Sequence, residues 1–323
     1  MTDHSNVYAV ARIRVLENTL FTKNMIDQLM ACKTCEDCLN FLTERGWGAS
    51  DKKLDAQDML RIEREKTWNV IRDMQVDMSE FDVLSYQNLY HNLKAAIKEV
   101  CVGASAVNVY YKGTSVSKEE MLRIVKEKDF ESLPSHMRKA AAEALKVMLQ
   151  TKDGQLCDII IDHALLDAVR REGENSKNNM IKSYAETFVS SADIKIAVRA
   201  AKTGKNKSFL NRALAKCDSL NVEKLLQASL SGFDAVCEYL LEAGFADASD
   251  ALKKSNSAFE CWCDNRIVEI ITPQKYNSFT TGPLIAYVLA RENEINTVRM
   301  ILIGKRNEIP EDSIRERIRV MYV

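Results

Sequence analysis

Three stretches of the chain read alike: Asn92-Leu-Lys-Ala-Ala-Ile97-Lys98 running on to Gly103, Asp193-Ile-Lys-Ile-Ala-Val198-Arg199 running on to Gly204, and Asn293-Glu-Ile-Asn-Thr-Val298-Arg299 running on to Gly304. Each has Asn or Asp, a β-branched residue five positions on, a base next, and glycine five later, with copies 101 and 100 residues apart. The first copy sits on an amphipathic pattern. Tyr86, Leu89, Tyr90, Leu93, Ile97 and Val100 recur at helical spacing, with Gln87, His91, Lys94 and Lys98 opposite. The third carries Leu284, Val288, Ile295, Val298 and Leu302, interrupted by Arg291 and Glu292. The second is looser, and Ser191 or Asp193 is expected to cap a fresh helix there. Each closing glycine is expected as a left-handed helix C-cap.

A second feature follows each copy in the same order. Ser117-Lys-Glu-Glu120, Asn221-Val-Glu-Lys and Pro310-Glu-Asp-Ser read as helix starts: a capping box, an N-cap, and a proline at a first helical position. Three units of about 100 residues, the scale of a domain, are therefore expected at 1–110, 111–213 and 214–323. They would form an open row or a closed ring, and the repeat alone does not choose.

Working outward, the composition agrees with helices. The 323 residues include only 11 glycines and 4 prolines, well below the usual share of about 12% for the two together. Hydrophobic residues at 46% allow a core, so the expected class is all-α. A net charge of −1 offers no global field for nucleic acid or anionic lipid. The opening Met1-Thr2-Asp3-His4 lacks the order of a signal peptide, and the longest near-apolar run, Gly282 to Ala290, is too short for a membrane span. Nine scattered cysteines point to free thiols in a reducing compartment.

Catalytic signatures are missing. Thr203-Gly204-Lys205 resembles the end of a phosphate loop, but Arg199 stands where the earlier glycine is required. It reads instead as a C-cap with a solvated lysine. The four histidines make no His-Glu-x-x-His or Glu-x-x-His set, and His163 reads as a surface or half-buried residue. Cys32, Cys35 and Cys38 have a spacing that can share a metal, with a further thiolate from Cys261 or Cys263. The stronger reading makes Thr34 an N-cap, Glu36 and Asp37 a first turn, and Cys38, Phe41 and Leu42 the buried face. Asp158, Asp162 and Asp167 read as a solvated acidic face. Lys98, Arg199 and Arg299 are placed equivalently by the repeat. Each either complements a helix C-terminus or belongs to a ring of positive charge, and Glu292 or Glu294 is a local partner for Arg299.

The run from Gly282 to Lys305, followed by Ile314-Arg-Glu-Arg-Ile-Arg319 and Tyr322, strongly resembles the C-terminal signature of the C subunits of V-type and archaeal A-type ATPases, whose eukaryotic counterpart is the d subunit. Tyr8-Ala-Val-Ala-Arg12-Ile-Arg14-Val-Leu-Glu17 resembles that family's start, and Asn92-Leu-Lys94 its mid-chain. The likeness spans the full length, and the cysteines at 32–38 depart from it. The resemblance implies three similar helical domains arranged as a funnel about a pseudo-threefold axis, with no catalytic site, nucleotide site or cofactor. It implies a monomer within a multisubunit complex, peripheral at the cytoplasmic face of the membrane. Its partners would be the rotor shaft subunits D and F and the membrane proteolipid ring, and its task would be torque transfer between them. On that reading Asn92, Lys98, Asp193, Arg199, Asn293 and Arg299 are the candidate partner-interface residues. The rival expectation is a cytosolic helical-repeat adaptor, whose period is normally about 20 to 50 residues. A helical enzyme is the third, and it lacks a motif.

Overall fold

The computed structural model describes residues 5–48, 54–103 and 109–323. Sixteen α-helices and three short 3-10 turns make up its regular structure, with no strand among the described residues. In chain order the helices are α1 (Ser5–Glu17), α2 (Lys23–Ala31), α3 (Cys35–Glu44), α4 (Ala56–Arg72), α5 (Asp82–Val102), α6 (Lys118–Glu127), α7 (Ser135–Thr151) and α8 (Gly154–Asn175). They continue as α9 (Asn179–Thr203), α10 (Lys207–Ala213), α11 (Val222–Ser231), α12 (Phe233–Glu242), α13 (Ala246–Lys254), α14 (Asn256–Ile271), α15 (Gly282–Arg306) and α16 (Glu311–Arg315). The all-α class is as expected.

Helix starts follow local chemistry. Thr34 and Asp37 form a complete capping box on α3. Ser117 accepts from the Glu120 amide and Asn221 from the Lys224 amide, each satisfying an orphan donor of a first turn. Two corrections apply: the Glu120 carboxylate bonds Arg123 instead of closing a box, and Pro310 precedes α16 as its N-cap. Gly103 and Gly204 end α5 and α9 with φ of +73° and +63°, a conformation glycine adopts without a Cβ clash.

The expected break at Ser191 or Asp193 is absent, because α9 runs unbroken through both. Gly304 is no C-cap either, since it lies inside α15. A Cβ there would stand 2.5 Å from Ile314 Cδ1, so the glycine is a point of close approach between α15 and α16.

The chain forms two compact units, each discontinuous in sequence: Met1–Met78 with Lys177–Tyr184 and Phe245–Val323, and Ser79–Ser176 with Ala185–Gly244. These cut the chain at other places than 110 and 213. In the first unit α15 is the hub, packed by α1, α2, α3, α4, α14 and α16. Its Ile295, Val298, Ile301 and Leu302 share one apolar cluster with Phe21, Leu29 and Met30, Cys38 and Leu42, Trp47, Met59 and Ile314. Each such side chain contributes about 1.5–3 kcal/mol on full burial. In the second unit α5, α7 and α8 pack mutually, and α11 packs on α12. The α7 face is small (Ala140, Ala141, Ala144 buried), which lets α8 lie close. Tyr90 closes this core, its hydroxyl donating to the His136 carbonyl at 3.0 Å, while burial holds the His136 imidazole below its ordinary pKa.

Candidate functional site

The repeated Asn, Asp and Asn turn inward. Asn92 is completely buried on α5. Its amide nitrogen donates to the Tyr111 carbonyl at 2.9 Å and to Thr114 Oγ1 at 3.1 Å, and its amide oxygen accepts from the Tyr111 N–H at 2.9 Å. Asp193 is completely buried on α9, and its Oδ1 accepts from the Ala215 N–H at 3.1 Å. Asn293, on α15, donates to the Val320 carbonyl at 2.9 Å. Each repeat residue therefore ties its long helix to backbone lying 19, 22 or 27 residues further on. In the first two copies that backbone leads into the capped helix, α6 or α11. In the third it follows α16.

The base six positions on lies about 240° further round the helix, so it points elsewhere. Arg199 and Arg299 are exposed, and neither side chain has an ion pair among the described residues. Lys98 is half-buried and pairs with Asp158 at 2.7 Å. One turn away Lys94 pairs with Asp162 at 2.6 Å, so two lysines on α5 meet two aspartates on α8, spaced four apart on each helix. Of the acidic face expected to be solvated, Asp158 and Asp162 thus form an interhelical seam, while Asp167 pairs within α8 with Arg170 at 2.9 Å and Arg171 at 2.7 Å. Lys98 faces the seam rather than its own helix's last carbonyls. The acids expected beside Arg299 are engaged elsewhere: Glu292 takes Arg64 at 2.8 Å, and Glu294 takes Arg291.

That second pairing belongs to a buried charge cluster that sequence reading missed. Arg291, Glu63 and Glu294 are all buried. Arg291 reaches the Glu63 carboxylate at 2.6 Å and lies over the Trp47 ring at 5.3 Å. The other Glu63 oxygen accepts from the Gly48 N–H at 2.9 Å and from Lys66 at 2.7 Å. Glu294 also accepts from the Phe21 N–H at 2.8 Å. Burial pushes the Glu294 pKa up to about 7 against the opposing pull of Arg291. Part of the signal was present in sequence: Arg291 breaks an otherwise apolar stripe, but its buried partner on α15 is Glu294, whereas Glu292, the other break in that stripe, pairs with Arg64.

The chain's ends meet in the same unit. Arg14 binds Glu17 at 2.8 Å and also donates to the carbonyls of Gln274 at 2.6 Å and Asn277 at 2.7 Å. Tyr322 donates to Glu17 at 3.2 Å. Both terminal stretches that carry the family likeness therefore converge on one carboxylate.

For chemistry the arrangement supplies positioning. Among the described residues no three His, Cys, Asp or Glu side chains group to hold a metal. Cys32, Cys35 and Cys38 are free thiols, with Cys38 in the apolar core and Cys32 and Cys35 packed against it. Gly204 is the expected C-cap, and Lys205 bonds Gln155 at 3.1 Å.

The described residues define an all-helical chain in which a tripled Asn/Asp residue ties three long helices to returning backbone. It belongs to the ATP synthase (C/AC39) subunit family, whose family model matches residues 9–317. The chain is similar to the C subunit of the V-type sodium ATPase of Enterococcus hirae, with 20% identity over 276 residues covering 84% of each chain.

Proposed function

We propose that this chain is the non-catalytic coupling subunit of a rotary ATPase, a socket that receives the shaft subunits D and F and passes torque to the membrane proteolipid ring. The family match across nearly the whole chain carries this reading. The sodium ATPase relative favours ion transport as the work to which torque is coupled. A torque element must resist bending, and α9 and α15 are continuous helices of 25 residues, about 37 Å each. Among the described residues no helix is long and apolar enough to cross a membrane, in keeping with a peripheral subunit on the cytoplasmic face. We assign Arg199 and Arg299, with Lys98 beside them in the repeat, to shaft contact. Asn92, Asp193 and Asn293 position the helices that carry them. Three repeat-based domains at 1–110, 111–213 and 214–323, arranged as a funnel, remain part of this proposal. A stable shaft contact would bury about 1,600 Å².

The test is size-exclusion co-elution of the full chain with D and F from the same organism, followed by addition of the ring subunit. A stable complex that the ring joins supports the socket. Separate elution of a folded, helical chain, both with and without ring, overturns it in favour of an adaptor for other proteins.

A further inference from the structure

We infer that Asp193 is carried as a neutral carboxylic acid in the folded chain, and that residues 214–220 form a pH-sensitive latch held shut by its proton. At the two equivalent positions of the repeat stand Asn92 and Asn293, whose uncharged amides bond the returning backbone. Asp193 occupies that place with no exposure to solvent. Its Oδ1 accepts one N–H, that of Ala215 at 3.1 Å. Its Oδ2 is buried and has no hydrogen-bond partner. No Lys or Arg side chain forms an ion pair with it among the described residues. An ionised carboxylate so placed would hold a full charge on a single donor, at a cost that protonation removes.

The charged and titratable neighbours agree. Seven residues earlier on α9, Glu186 accepts from the amides of Asp218 at 3.1 Å and Ser219 at 2.8 Å and from the Ser219 hydroxyl, which places its carboxyl group on the same returning segment. On that segment Cys217 is pushed up to about 12 by burial, then by Glu186 and Asp193, and it is a neutral thiol. Lys216 and Asp218 are exposed. From α12, Tyr239 donates to the Asn221 carbonyl and its pKa is raised by burial, so it adds no charge. Burial and Glu186 together push Asp193 up to about 8, against the Ala215 hydrogen bond.

The folded chain keeps this proton up to about pH 8, whereas an unfolded aspartate releases it near about 3.9. Opening therefore releases a proton across that window, and Asp193's contribution to stability declines as pH rises through it. The opening constant grows about tenfold per pH unit and levels off above the folded pKa. Above it the carboxylate is ionised in the closed and the open chain alike, so Asp193 adds no further pH dependence.

The experiment uses the full chain with ¹³C-carboxyl-labelled aspartate, with Asp193→Asn as the assignment control. It is paired with amide hydrogen exchange of 214–220, corrected for the intrinsic rate, at pH 7 and 9. The expected results are one carboxyl resonance titrating far above the others and missing from D193N, and a protection loss of about tenfold in wild type only. Titration of every aspartate in the ordinary range would overturn the proposal, and so would unchanged protection at pH 9. The wild-type exchange decides the matter even if D193N does not fold.

Discussion

Asn92 and Tyr111 are bonded in both directions: the amide oxygen of Asn92 accepts from the Tyr111 N–H, and its amide nitrogen donates to the Tyr111 carbonyl, each at 2.9 Å. One buried side chain thus satisfies both backbone groups of a residue outside any helix. Such groups cost free energy when left unpaired. The same task falls in part to Asp193 and Asn293, so the tripled residue is a device for bringing the chain back onto its long helix.

Asn92→Ala should therefore cost about 1–3 kcal/mol, the penalty for orphaned buried groups. Urea unfolding of the full chain measures it. A cost under about 0.5 kcal/mol, the range of surface substitutions, would show that the tie contributes nothing.

Arg291 stands between two buried carboxylates, and removing it alone leaves Glu63 and Glu294 without their shared cation. Arg291→Met should lose about 3–5 kcal/mol, and Glu63→Gln with Glu294→Gln in the same chain should recover much of that. If the triple variant is no more stable than the single one, packing of Arg291 on Trp47 accounts for the loss instead.

Two glycines in matching repeat positions should respond for different reasons. Gly304→Ala drives a methyl into Ile314 and should cost about 1–3 kcal/mol through overpacking. A Cβ at Gly103 would meet nothing within 4 Å, so Gly103→Ala bears only its backbone cost of about 1–2 kcal/mol. Replacing Ile314 by Ala in the Gly304→Ala background should relieve the first clash. A thermodynamic cycle that finds the two changes additive would count against the close contact.

Arg199→Glu and Arg299→Glu should leave unfolding stability within about 0.5 kcal/mol, since both side chains are exposed, yet weaken co-elution with the shaft. Adding Lys98→Glu places like charge on Asp158 and should lower stability as well. Unchanged assembly in the triple reversal would remove these bases from the interface.

Thiol labelling reads the core directly. Burial pushes Cys38 up to about 12 and Cys157 up to about 11, so both are thiols, not thiolates, at neutral pH. Maleimide should modify them only when the chain unfolds, and rapid native labelling of either would contradict their burial.

Much of the architecture was legible because it rests on local pattern. Scarce glycine and proline meant helices, the stripe from Tyr86 to Ile97 is buried on α5 as its spacing required, and Thr34 caps α3 with Asp37. Local readings failed where a distant residue supplied the partner. Asp193 looked like a cap but serves Ala215. Asp158 and Asp162 looked solvated but meet lysines of α5.

By itself the amino-acid order determined the helices, most of their ends, the tripled motif and the family, since hydrophobic period, capping and signature are properties of neighbours along the chain. Only the tertiary structure decided that the tripled residues face inward, that Arg291 is enclosed by carboxylates from two helices, and that two discontinuous compact units form. Those outcomes depend on which far-off backbone groups and charges arrive to satisfy a buried polar atom, and no spacing along the sequence encodes that.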